Sequence, residues 1–271
     1  MNWWQAALLG VIQGLTEFLP VSSDGHLALA GAFLTNGSFG VQFAVLLHVG
    51  TLLAVVLAFP KGLAELFRGV LRLPRAIFRP RSTWDHAERF AWNAILSAIP
   101  AAILGFALRD RVDATYDRLD IVGGGLLVTA AMLWSTVRAK RNPGTRDLTW
   151  KDALLIGLAQ ALALLPGVSR SGMTIATALM LRVERGVAAE FSFVASAPLI
   201  FGAALLESEE LWRHGGIDPG PVIVGIATAF VLGWLALSWL VKIVRAGTFH
   251  RFAPYCAVLG VAAILAQYLR R

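Results

Sequence analysis

Residues Gln13 to His26 read Q-G-L-T-E-F-L-P-V-S-S-D-G-H, and how they are placed decides the fold. They lie inside an apolar segment yet carry Glu17, Ser22, Ser23, Asp24 and His26. A carboxylate at the centre of a membrane helix costs roughly 2.5–3.5 kcal/mol on insertion scales, so an ionisable residue at that depth marks a functional position. Pro20 removes a backbone donor and ends the helix that begins near Trp3, and Gly25 frees the backbone just before His26. Irregular polar backbone at membrane depth persists only where protein buries it or water reaches it. The stretch is therefore expected to form the polar elbow of a broken, re-entrant helix pair over 3–35.

The rest of the chain sets the context. It is 57% hydrophobic and 15% charged, where a soluble domain would be about 25% charged, and its mean hydropathy is +0.66. The class is an all-α polytopic membrane protein. Met1-Asn2-Trp3-Trp4 lacks the basic region of a signal peptide, so the start is read as part of the first helix and not as a cleaved leader. Cys256 is the single cysteine, which excludes an internal disulfide. The net charge of +7 is read as basic loops beside a membrane, not as a nucleic-acid surface. No Walker loop, dinucleotide fingerprint, His-rich metal cluster or nucleic-acid module is present.

Crossing a bilayer takes about 20 apolar residues. Spans are expected at 41–59, 90–108 (with Pro100 as a kink), 121–137, 191–206, 222–241 and 252–269. The Asn36-Gly37-Ser38 turn ends the first re-entrant pair, and 61–89 reads as a basic amphipathic loop. A second elbow, P-G-V-S-R-S-G-M-T from Pro166 to Thr174, lies within an expected second re-entrant pair over 153–182. An offset of 147 residues superimposes Gly10 on Gly157, Gln13 on Gln160, Leu15 on Leu162, Val21 on Val168, Ser22 on Ser169 and Gly25 on Gly172. Residues 1–137 and 153–271 therefore read as two repeats within a single membrane domain, each a re-entrant pair plus three spans. A re-entrant pair returns to its own side and three spans change sides, so the second repeat is inverted. This topology puts 17 Lys and Arg in the loops 61–89, 138–152, 182–190 and 242–251, and 6 on the opposite side. The basic side is cytoplasmic by the positive-inside rule, and both termini lie outside.

Arg170 is the sharpest single position. A guanidinium between two apolar helices needs an anion. Either it pairs with Glu17 or Asp24 and locks the repeats together, or it holds a phosphate, which its planar fork suits. Gly167 and Gly172 let backbone N–H groups approach an anion; Ser169, Ser171 and Thr174 add donors, and the helix starting near Gly172 points its positive end at the elbow. Gln13 and Glu17 share a helix face. Glu17 can ligate a divalent cation, act as a base or pair with Arg170. Ser22 and Ser23 offer hydroxyls, and His26, three residues after Ser23, is placed to take its proton. Asp24 is either a third carboxylate of the site or a charge at its mouth. His48, mid-span, is expected to hydrogen-bond to the elbow.

These motifs resemble those of the bacterial undecaprenyl-diphosphatase family, of the bacitracin-resistance (BacA/UppP) type. The likeness rests on Gln13–His26, Pro166–Thr174 and F-A-V-L-L-H-V-G-T-L-L-A-V, Phe43 to Val55, and extends over essentially the whole length. It implies hydrolysis of undecaprenyl diphosphate to undecaprenyl phosphate and phosphate, which recycles the lipid carrier of cell-wall synthesis and confers bacitracin resistance. It implies roles for Glu17, Ser23, His26 and Arg170, with Ser22, Ser169, Ser171 and Thr174 lining a phosphate pocket, and a divalent cation, magnesium or calcium, at Glu17. The family's first motif often opens with a glutamate where this chain has Gln13, so a two-carboxylate metal site requires Asp24 as substitute. The expected partners are a polyprenyl diphosphate lipid, the bilayer and a second copy in a homodimer, with no nucleic acid. The expected place is the bacterial cytoplasmic membrane, the site opening to the non-cytoplasmic side. The rival reading is a lipid-phosphate flippase or anion transporter, since inverted repeats and broken helices also serve transport.

Overall fold

The computed structural model describes residues 2–34, 41–113, 115, 118–141, 143–214 and 219–269; at 31–34, 41–42, 44, 109–110, 113, 203–204 and 206–214 it describes the backbone alone. The expected Asn36-Gly37-Ser38 turn and the C-terminal arginines lie outside the described residues. The regular structure described is helical.

Helix α1 (Trp3–Phe18) opens with a capping box in which the Asn2 side chain accepts from the Gln5 amide and the Gln5 side chain accepts from the Asn2 amide. It stops before Pro20, and α2 (Ser23–Leu34) begins after a four-residue elbow. α3 (Val41–Ala58) turns through 95° at Phe59 into α4 (Pro60–Ala76). Long α5 (His86–Asp113) runs through Pro100, followed by α6 (Leu119–Ser135) and short α7 (Val137–Arg141). α8 (Trp150–Leu162) has its own capping box from Thr149 and Asp152, and α9 (Arg170–Met180) starts after the second elbow. α10 (Arg185–His214), α11 (Pro219–Arg245) and α12 (Ala253–Leu269) complete the chain.

Much of the region expected as a loop over 61–89 is helix instead. Gly62, Leu66, Gly69, Leu73 and Ala76 recur at helical spacing and are buried, and that row packs α4 onto α5, with Gly62 against α10.

Four described helices are long and apolar enough to cross a membrane, at 86–108, 119–141, 219–245 and 249–269, and α3 and α4 pass the same test only when taken together across their 95° bend. They match the spans expected at 90–108, 121–137, 222–241 and 252–269. The stretch 41–59 meets the test only together with α4, and 191–206 lies inside α10, which is not among the four. The chain is a multi-pass membrane protein.

Small residues let these helices approach closely, as membrane packing requires. A Cβ added to Gly14 of α1 would come within 2.7 Å of the Ala229 carbonyl and 2.9 Å of the Gly233 nitrogen on α11. Gly157 of α8 meets the Ser97 carbonyl of α5 in the same way, at 2.6 Å. Gly123 of α6 and Gly260 of α12 face each other's carbonyls, at 2.5 and 2.8 Å. The central core gathers Phe18, Val21, Ile175, Phe191 and Phe193 directly behind the elbows, with Phe18 edge-on to Phe193 at 5.5 Å.

Candidate active site

The two elbows touch. A Cβ on Gly25 would lie 3.1 Å from the Gly167 Cα, and one on Gly172 would lie 3.5 Å from the Pro20 Cβ. Gly167 sits at φ +90°, a conformation glycine adopts without strain. Ser22 also has positive φ, +68°. Its hydroxyl accepts from the Gly25 amide at 3.2 Å, capping α2. Ser169 caps α9 in the same manner, accepting from the Gly172 amide at 3.1 Å.

The charged centre lies across this contact. Arg170 Nη2 donates to Glu17 Oε1 in an ion pair that joins α9 to α1. Glu17 Oε2 accepts from Ser23 Oγ at 2.7 Å and from Gln13 Nε2 at 3.0 Å, and His48 Nε2 lies 3.4 Å away. Glu17 is 2% exposed at its side chain and Arg170 30%, and both line a cavity of about 340 Å³, Arg170 as the more open of the two. Ser22, Ser23, Asp24, Ser169 and His48 also line this cavity, and its remaining wall is largely apolar, including Val45, Leu164 and Leu199. Polar groups converging on one side of an apolar-walled cavity suit an amphiphile with an anionic head.

The expected site residues are placed as follows. Gln13, Glu17, Ser23 and Arg170 form one hydrogen-bonded unit. Ser22, Ser169 and Asp24 share its cavity. Ser171 stands behind Ser169, 3.2 Å between hydroxyls, and also reaches the Leu19 carbonyl of the first elbow. Thr174 bonds the Arg170 carbonyl at 2.9 Å and the Ser192 hydroxyl, so it braces α9 against α10. Gly167 and Gly172 shape the contact between elbows.

The pairing of Ser23 with His26 expected from their spacing is not formed. Ser23 turns its hydroxyl to Glu17. His26 Nδ1 is 2.8 Å from the Ser22 carbonyl and Nε2 is 2.7 Å from the Tyr255 hydroxyl, with the two rings stacked. A carbonyl only accepts, so Nδ1 carries a proton, and in the neutral ring Nε2 then accepts from the Tyr255 hydroxyl. The physical reason is the positive φ of Ser22, whose carbonyl also accepts the His26 backbone N–H at 3.2 Å.

Two contributors escaped the sequence reading. Thr129 of α6 donates to the Gly167 carbonyl at 3.0 Å and accepts from the Ser169 amide at 2.9 Å, pinning the second elbow. Tyr255 of α12 holds His26. Both are lone polar residues in apolar spans, and only their position within an otherwise hydrocarbon face could have drawn notice.

In this arrangement the Glu17 carboxylate, where a cation was expected, accepts from Arg170, Ser23 and Gln13. Among the described residues no group of three His, Cys, Asp or Glu side chains could hold a metal. Asp24, facing the same cavity, does fit the commoner magnesium arrangement of one carboxylate completed by substrate phosphates and water.

Comparison with known proteins adds the lineage. The family model described as Bacitracin resistance protein BacA matches residues 6–262. The chain is 40% identical over 276 residues to a protein of Bacteroides fragilis, covering 100% of both chains. It is 44% identical over 262 residues to one of Desulfosudis oleivorans, covering 94% of this chain and 95% of the relative. It is 39% identical over 265 residues to one of Korarchaeum cryptofilum, with 96% and 97% covered. All three relatives are named undecaprenyl-diphosphatase.

Proposed function

The chain belongs to the Bacitracin resistance protein BacA family, and from that premise we propose that it hydrolyses undecaprenyl diphosphate to undecaprenyl phosphate and inorganic phosphate. The observation that carries this reading is the Arg170–Glu17 pair on the wall of a cavity formed where two elbows meet. The guanidinium is the exposed partner and the carboxylate the buried one, so an incoming phosphate competes for Arg170 from the cavity side.

Each group then has a task. Arg170 moves its donors from Glu17 to the diphosphate, and the start of α9, whose Ser169 and Arg170 line the cavity, adds its positive end. This lowers the charge on the transferring phosphoryl group, which is where most catalysis of phosphoryl transfer resides. Glu17, released from Arg170, keeps Ser23 Oγ within 2.7 Å and takes its proton as the oxygen attacks the terminal phosphorus. The anhydride bond breaks, undecaprenyl phosphate leaves, and water hydrolyses the phosphoserine. The other route has His26 activating water directly, and it requires Nε2 to leave Tyr255. A magnesium or calcium ion arriving with the diphosphate would be held by Asp24 and would supply further neutralising charge.

The halves are read as inverted repeats, and several facts support this. The caps Asn2 and Thr149, and the starts of α2 at Ser23 and α9 at Arg170, differ by the same 147 positions as the elbow motifs. The packing is reciprocal: α1 of the first half lies on α11 of the second, and α8 of the second lies on α5 of the first. With the basic loops cytoplasmic, the cavity opens toward the other face and the lipid tail lies between helices.

The test is phosphate release by the purified protein in detergent from a polyprenyl diphosphate, with and without chelator, for wild type and Arg170→Ala. Wild type releases phosphate and the variant loses it. A flippase or transporter, with no second compartment to serve, would release none, and that result overturns the proposal.

A further inference from the structure

Helix α4 carries three separate rows. Gly62, Leu66, Gly69, Leu73 and Ala76 are buried, Gly69 against Ala87 and Ala91 of α5 and Gly62 against Glu190 and Val194 of α10. Phe67, Val70 and Leu71 form a second row at the same helical spacing, continued by Ile77 and Phe78 in the turn that follows the helix, and they are exposed, at 66%, 43%, 64%, 51% and 86%. Lys61, Arg68, Arg72 and Arg75 form the third, with Arg79 just beyond the helix end. At 100° per residue the exposed apolar row and the basic row flank the buried one on opposite sides. A helix in water would not hold such a row of aromatic and aliphatic side chains open along its length. A spanning helix would not carry the basic row.

The 95° bend from α3 resolves both difficulties. α3 is an apolar helix of the membrane domain, so a helix at right angles to its end runs along the membrane surface. There the apolar row reaches the acyl chains and the basic row stays at headgroup level. Not every cation on that row is available: Arg72 pairs with Asp85 at 2.9 Å and Arg79 pairs with Glu88. Arg68 bonds only a helix carbonyl, Ala64 O, among the described residues, and Arg75 has no ion pair among them. Trp150, exposed and 5.5 Å from Arg81 at its ring centroid, lies next to this helix, as aromatic residues do at a membrane interface.

We infer that α4 is an in-plane interfacial helix whose occupant is the lipid of the leaflet on the basic-loop side, with Arg68 and Arg75 selecting anionic headgroups. The assignment does not depend on the phosphatase reading, since none of these residues lines the elbow cavity.

The experiment uses the full chain in phosphatidylcholine nanodiscs with and without phosphatidylglycerol. Cys256 is the sole cysteine and is buried, so single nitroxide labels can be placed at Phe67→Cys, Leu71→Cys and Phe78→Cys, and at Arg68→Cys and Arg75→Cys. Labels on the apolar row should be accessible to oxygen and shielded from a water-soluble nickel chelate, and labels on the basic row the reverse. Spin-labelled phosphatidylglycerol should associate in preference to phosphatidylcholine, and Arg68→Gln with Arg75→Gln should lower that preference roughly fivefold per arginine. Phosphate release serves as the check that the variants are folded. Equal nickel access along both rows overturns the interfacial placement. An unchanged lipid preference in the double variant overturns the headgroup assignment. Spin–spin broadening on the apolar row that vanishes on dilution with unlabelled chain would show a second copy as occupant and overturn both.

Discussion

Replacing Gln13 by glutamate tests the charge balance of the site directly. Gln13 is fully buried, and its Nε2 donates to Glu17 Oε2 at 3.0 Å. A hydrogen bond to a charged group contributes about 1.5–3 kcal/mol. Glutamate keeps the shape but has no N–H, so Gln13→Glu removes that bond and sets a second negative charge beside the first. Two like charges about 4 Å apart repel by about 4 kcal/mol at an effective dielectric constant of about 20. The combined loss, roughly 5–7 kcal/mol, is an upper bound, because Arg170 can divide its donors between two carboxylates and a carboxyl can bind a proton. A divalent cation offers a different relief: at about 100 times its Kd, binding to the native state returns about 2.7 kcal/mol. At about 2–4 °C per kcal/mol for a chain of this size, magnesium or calcium should raise the variant's Tm by roughly 5–10 °C. The assay is thermal unfolding of the purified protein in detergent at pH 7, with cation or with chelator and without substrate. Wild type should be indifferent to chelator. Gln13→Glu should melt well below it in chelator and recover with cation. A variant that melts with wild type in chelator would refute the idea that the Gln13 amide supports the Glu17 carboxylate.

Other outcomes follow from the same geometry. Ser23→Ala should abolish phosphate release while leaving Tm within a few degrees, and Ser23→Cys should retain some; full activity in Ser23→Ala removes the serine nucleophile. Arg170→Gln, which leaves the buried Glu17 carboxylate without its cation, should destabilise by up to about 3–5 kcal/mol, Glu17→Gln by less because Arg170 faces the cavity, and the double variant should cost less than their sum; additive losses in detergent unfolding would deny the pair. Gly14→Val drives a side chain into the Ala229 carbonyl and Gly233 nitrogen of α11. It should cost about 1–3 kcal/mol or block folding, read as lost Tm or lost monodisperse protein. Asp152→Ala removes the acceptor of two Arg146 donors at 2.6 and 2.9 Å and of the Thr149 amide at 2.8 Å. It should cost about 2–3 kcal/mol, whereas the exposed Arg118–Asp120 pair should be removable with no measurable shift.

What the sequence made legible was whatever carried charge into hydrocarbon. Glu17 and Arg170 stand out because their cost in lipid has few cures, and the structure joins them. The 147-residue offset was readable because glycines, serines and a valine recur around both breaks. α4 was missed for an opposite reason: with arginines on one face and Pro74 near its end, its polar composition masks the row that packs on α5. The Ser23–His26 pairing failed on backbone conformation, because nothing in the residue name of Ser22 announces a φ of +68°. Thr129 and Tyr255 were invisible because their importance lies in which elbow they meet, and that is fixed by packing between helices far apart in the chain.

That packing removes the opposition between a structural and a functional Arg170. Glu17 comes from the end of α1 and Arg170 from the start of α9, each beside its elbow, and each would be costly if left alone beside apolar helices. The elbows are brought together by Gly25 against Gly167 and held from outside by Thr129. In the substrate-free chain the ion pair meets the electrostatic demand of that contact. Because the carboxylate is the deeper partner and also accepts from Gln13 and Ser23, Arg170 can turn to a phosphate while Glu17 keeps two hydrogen bonds. A lock between halves that an anionic headgroup can open from the cavity side is thereby also a means of sensing that the headgroup has arrived, with the Ser23 hydroxyl already bonded to the carboxylate that is freed.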